Sequence, residues 1–152
     1  PFIVLLVLVA PVTRLFTGTT IGSTATIVPL TIAAVPFFAR LVEASLREVA
    51  PGKVEAARAM GANTRQIVRT VLLPEARPGL IAAATVTLIA LISYSAMAGA
   101  IGGGGLGDFA IRYGYYRYET AVMLIAVVLM VLLVTAVQWG GNRFARITDK
   151  RS

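Results

Sequence analysis

A chain of 152 residues, 57% of them hydrophobic and with a mean hydropathy of +0.81, is too apolar for an ordinary soluble domain, where the apolar share is about 45–50%. Its formal charge of +7 gathers in one mid-chain stretch and the C-terminal tail, beside apolar runs and without a nucleic-acid-binding motif, which points to lipid headgroups or an acidic partner and not to nucleic acid. With neither cysteine nor histidine it has no disulfide, no thiolate or imidazole metal site and no usual proton shuttle.

The chain opens on Pro1 and runs at once into apolar Phe2 to Val9, with no charged region ahead of it that would read as a signal peptide. This run ends near Val12, short of the roughly 20 residues a span needs, so Phe2–Val12 is expected to be the outer end of a span cut by an N-terminal truncation. Pro11, Arg14 and Thr17-Gly18-Thr19-Thr20 read as a polar connection. Ile21 to about Leu41 is apolar enough to cross. Pro29 and Pro36 inside it predict a kinked helix, not an ended one. Gly22, Ser23, Ala25, Ala33 and Ala34 favour close helix packing. Past Arg40 the helix is expected to leave the bilayer and continue through Glu48.

A polar, basic island follows, over about residues 43–78. Pro51 and Gly52 stop what precedes them, and Pro51 also suits a first helical turn. Lys53 to Met60 is rich in helix formers, and Gly61 stands where a helix ends in a left-handed residue. Asn63 or Thr64 can cap a second helix, with Gln66 or Ile67 three residues on. Ile67, Val68, Val71 and Leu72 are predicted to share one face, with Arg65 and Arg69 on another, and Pro74 to limit that helix. Ala56, Ala57 and Ala59 make a smooth face that permits close approach. The island therefore reads as a docking element built from two short helices; a plain solvated loop is the alternative.

Pro78-Gly79 is expected to open the next span, Leu80 to about Ala98. Ser93, Tyr94, Ser95 and Met97, near its far end, are candidates for lining a pathway; the alternative is hydrogen bonding between helices. Gly99 to Gly107 is a glycine-rich loop at the outer mouth. Gly102, Gly104 and Gly107 fit G-x-G-x-x-G, but the pattern follows a membrane span and no strand, so it is not a nucleotide site. Asp108 to Glu119 is an interfacial segment with tyrosines suited to headgroup level and charges read as solvated. Thr120 to about Gln138 is the cleanest span. Trp139 marks its interface, and Arg143, Arg146, Lys150 and Arg151 form a basic tail. Seven Lys/Arg residues lie between Arg40 and Arg77, four in the tail, and three (Arg14, Arg112, Arg117) on the other side. The positive-inside rule places island and tail in the cytoplasm. No span centre carries an ionisable residue, which disfavours an ion-coupled carrier.

Glu55-Ala56-Ala57, Gly61, Leu73 and Pro74 fall at the spacing of the Glu-Ala-Ala ("EAA") loop of binding-protein-dependent ABC importer permeases, with Val71 in place of the usual isoleucine. Ile27-Val28-Pro29-Leu30-Thr31, Arg58-Ala59-Met60-Gly61-Ala62, Gln66-Ile67-Val68-Arg69, Tyr94-Ser95-Ala96-Met97 and Gly104-Gly105-Leu106-Gly107 resemble the methionine-importing branch of that family. The resemblance covers nearly the whole chain. It implies an all-α membrane protein: one transmembrane domain over 1–152, a helix bundle with a cytoplasmic helix-turn-helix coupling loop, in the cell inner membrane. It implies that Glu55, Ala56, Ala57, Arg58, Met60, Gly61, Leu73 and Pro74 couple to the cleft of an ATP-hydrolysing subunit, Glu55 through a charged contact and Gly61 as the bend. The implied partners are a pair of ATPase subunits, a periplasmic or lipoprotein solute-binding protein, a second copy of this chain and membrane lipid. ATP then belongs to the partner, and this chain is neither an enzyme nor a cofactor holder. The alternatives are a permease for another small solute and a membrane scaffold that transports nothing.

Overall fold

The computed structural model describes residues 2–99 and 102–148, and among these there is no strand. In chain order the helices are α1 (Phe2–Thr17), α2 (Ser23–Arg47), α3 (Pro51–Ala59), α4 (Thr64–Ile67), α5 (Leu73–Gly99), α6 (Gly105–Phe109) and α7 (Thr120–Thr148). Two wider π turns, Val68–Leu72 and Ala110–Tyr115, interrupt the series. Three continuous helical runs are long and apolar enough to cross a membrane: Ser23–Arg47, Thr64–Gly99 and Thr120–Thr148. Lys150 and Arg151 of the expected tail lie outside the described residues.

Prolines end fewer helices than the sequence predicts. Pro11 and Arg14 lie inside α1, which runs on to Thr17 and closes with Gly18 at φ +74. Pro29 and Pro36 lie inside α2 as expected. Pro74 does not limit the second island helix, and Pro78-Gly79 lies inside a helix and starts none, because Thr64 to Gly99 is one helical run. A proline removes one backbone donor, whereas ending a helix in apolar surroundings strands several groups at once, so continuing is cheaper. The π turn also falls immediately before Pro74 and includes Thr70, whose carbonyl a proline ring would strike in a regular helix. The basic tail is likewise helical as far as Thr148.

The chain divides into two compact units, Pro1–Pro36 with Leu88–Val137, and Phe37–Thr87 with Gln138–Ser152. In the first, Phe2 is buried and stacks on Tyr94 with ring centres 4.9 Å apart. Small residues set its tightest packing. A Cβ on Gly107 would collide with the Ala96 backbone, and one on Gly99 with the backbone of Gly107 and Asp108. Gly103 donates to the Ala98 carbonyl at 3.0 Å. Gly99, Gly103 and Gly107 thus make a close seat for α6 against the end of α5. Asp108 is mostly covered and pairs with Arg112 at 2.8 Å, which corrects the expectation that it is solvated. In the second unit Gly79 sits against Ser45 and Gly141 against the Thr85 side chain. The buried hydroxyls of Thr85 and Thr87 bond to carbonyls of their own helix at 2.8 Å, so they do not stand as unpaired polar groups. Along α7 only Ala126 is buried, while Leu124, Val128 and Leu132 are exposed. That surface suits lipid or another subunit, not water.

Candidate coupling site

α3 begins with Pro51 at its first position, where the missing N–H costs nothing. It ends at Met60 and Gly61. Gly61 has φ +81, its N–H bonds to the Arg58 carbonyl at 2.9 Å, and the Ala62 N–H reaches back to the Ala57 carbonyl at 3.1 Å. These two bonds make a Schellman motif, which satisfies orphan carbonyls only if one residue turns left-handed. Two residues later Asn63, and not Thr64, caps α4. Its Oδ1 accepts from the Gln66 N–H at 2.9 Å, while its own N–H donates to Gln66 Oε1 at 2.8 Å. The reciprocal pair is a capping box. The turn between the two helices is therefore closed on both sides by local chemistry.

Packing decides which side of the element is left free. Ala57 and Ile67 are buried, at 5% and 6% exposure, where α3 lies on α4 and the π turn. Ala57 therefore does not belong to the outward alanine face that the sequence predicts. Glu55, Ala56, Arg58, Ala59, Met60 and Gly61 are exposed, Met60 at 81%. The Glu55 carboxylate takes part in no ion pair among the described residues. Helix α3 thus presents an acid, a base and a thioether around small side chains. The ridge expected of Ile67, Val68, Val71 and Leu72 is split. Ile67 is buried, Val71 and Leu72 are half-covered, and Val68 is exposed, because the π turn shifts the register within it. Leu73 is exposed and Pro74 half-covered; both belong to the start of α5. A contact that sequence reasoning missed ties the element down: Lys53 Nζ meets Glu75 Oε2 at 2.5 Å. Twenty-two positions of separation leave no local signal for it.

The four pathway candidates do not share one face. Tyr94 is occupied by Phe2. Ser93 turns its hydroxyl back to the Ile89 carbonyl at 3.2 Å, and Met97 is exposed one turn further along. Ser95 alone among them lines a cavity of about 590 Å³ in the first unit, together with Thr31, Leu91, Leu106 and Met130.

A family model described as "Binding-protein-dependent transport system inner membrane component" matches residues 1–150. The chain is 56% identical over 151 residues to the probable D-methionine transport system permease protein MetI of Vibrio cholerae, covering 99% of this chain and 67% of that protein. It is 45% identical to the methionine import system permease protein MetP of Bacillus subtilis, covering 99% and 68%. A solved structure of the MetNI methionine ABC transporter in an inward-facing conformation superposes with a TM-score of 0.95 at 55% identity, covering 99% of this chain and 69% of that one. The chain thus spans a little over two thirds of the length of these relatives.

Proposed function

Because the chain belongs to the family of binding-protein-dependent transport system inner membrane components, we propose that it is the permease subunit of an ABC importer for methionine. The observation that carries the reading is the exposed Glu55–Gly61 surface, braced from behind by Ala57 and Ile67 and closed at Gly61–Asn63 by the two capping motifs. The names of relatives at 45–56% identity support the solute. In this reading residues 1–152 are one multi-pass domain of the inner membrane, and about residues 43–78 form its cytoplasmic coupling element. Glu55, Ala56, Arg58, Met60 and Gly61 meet the ATPase subunit. Ala57 supports them from inside, and Leu73 and Pro74 join the element to its span.

ATP is bound and hydrolysed by the partner pair, and this chain contributes no cofactor. Two copies enclose the pathway, and a solute-binding protein delivers methionine to its outer side. Closure of the ATPase pair moves α3, and the spans switch between inward and outward openings. The switch is driven only as far as α3 binds one ATPase state better than the other. A decisive experiment assembles the permease with its ATPase subunit and binding protein in vesicles. Labelled methionine uptake should require ATP and be competed by unlabelled methionine, and Glu55→Lys should abolish both uptake and co-purification of the ATPase. Undiminished uptake in that variant would sink the docking role of Glu55; uptake that methionine does not compete would sink the solute.

A further inference from the structure

Four ion pairs occur among the described residues. Three of them join positions three or four apart in one helical run. The fourth, Lys53–Glu75, joins two different elements across 22 positions. Lys53 lies in the first turn of α3, and Gly61 closes the other end about 12 Å away, at about 1.5 Å per residue. Glu75 lies in the first turn of α5, directly after Pro74 and beyond the π turn that ends with the Leu73 N–H on the Val68 carbonyl. The first turn of α3 has no buried side chain: Pro51, Gly52 and Lys53 are exposed and Val54 is half-covered. Within α3 the burial lies at Ala57, toward its Gly61 end; the chain entering the helix is held by buried Val49, a backbone hinge two positions ahead of Pro51 that leaves the direction of the first turn to side-chain contact.

A rod held at one end pivots when pushed, whereas a rod held at both ends passes the push on. We propose that Lys53 and Glu75 are positioning residues that act as a strut, carrying displacement of α3 past the π turn into the span α5; this rests on the coupling role argued above. Both side chains are partly exposed, 48% and 31%, so the pair adds little to folding. Its contribution is to the direction in which α3 can move.

The test uses the full complex, with ATPase subunit and binding protein, in proteoliposomes. Lys53→Glu, Glu75→Lys and the doubly swapped variant are compared for ATPase co-purification, ATP hydrolysis and labelled methionine uptake. Each single reversal should retain the ATPase and hydrolyse ATP, while uptake per ATP falls about fivefold, the scale of one exposed pair turned into a repulsion. The double swap should return the ratio to within about twofold of the parent. A single variant that does not accumulate is replaced by Lys53→Met or Glu75→Gln, for which about a twofold fall is expected. An unchanged ratio in the single variants, or a fall that the double swap leaves in place, overturns the strut. Failure of the parent chain to retain any ATPase overturns the coupling reading itself, and the strut with it.

Discussion

Gly61 and the glycine pair of α7 show how one hydrogen atom in place of a methyl decides local structure. At Gly61 a Cβ would meet nothing within 4 Å, so space is no obstacle; the obstacle is φ +81. A β-branched side chain there costs about 1–2 kcal/mol. Gly61→Val should therefore weaken ATPase co-purification, and Gly61→Asn should retain most of it, since asparagine tolerates the left-handed region. Gly140 and Gly141 are adjacent in α7, yet their substitutions should have opposite signs. A Cβ on Gly140 meets nothing, so Gly140→Ala should raise thermal stability by up to about 1 kcal/mol through helix propensity. A Cβ on Gly141 collides with Thr85, a buried, β-branched residue with no room to turn. Gly141→Ala should lower the melting temperature of the detergent-solubilised protein. Equal shifts in the two variants would contradict the packing of α7 on α5 in that unit.

Among the elements, the π turn at Val68–Leu72 sets how the two short island helices are presented to α5. Deleting Thr70 so that this run becomes a regular helix would set the Pro74 ring against the carbonyl of Arg69, then four positions back, and bend the run that joins α4 to α5. Methionine uptake should be lost in this deletion while the protein still reaches the membrane, as checked by immunoblot of membrane fractions. The caps are a gentler probe. Asn63→Ala removes the capping box and should cost about 1 kcal/mol, whereas Asn63→Ser should be close to neutral. Thermal denaturation followed by size-exclusion distinguishes them. The boundaries around Gly61 and Asn63 were legible in the sequence because each depends on neighbouring residues alone. The end expected at Pro74 was not, because propensity treats proline as a stop and cannot see the wider turn that absorbs it.

Across the whole molecule, the chain is a multi-pass inner-membrane component with eleven of its 14 basic residues in two places, the island and the tail. Both belong to one compact unit. One apolar run, α5, separates the island from the tyrosine turn at Tyr115–Tyr118, so the two should face opposite sides of the membrane. The absence of native cysteine makes this simple to check. In intact cells a membrane-impermeant maleimide should label Tyr118→Cys, which is 93% exposed, and should reach Ala59→Cys only after permeabilisation. Labelling of both from outside would reverse the topology and remove the island from the ATPase.

Sequence alone determined the membrane class, the presence of the long apolar helices and the two-helix island, because apolar length and capping chemistry are properties of residues close together in the chain. It also carried the exposed patch of Glu55, Arg58 and Met60, which needs only about two turns of helix to assemble. Tertiary structure alone decided that Ala57 turns inward, that Tyr94 is covered by Phe2 and that Ser95 lines the cavity. It alone brought Lys53 to Glu75. Each of these depends on a second helix arriving from elsewhere in the chain, and no local pattern of hydrophobicity encodes which neighbour that will be.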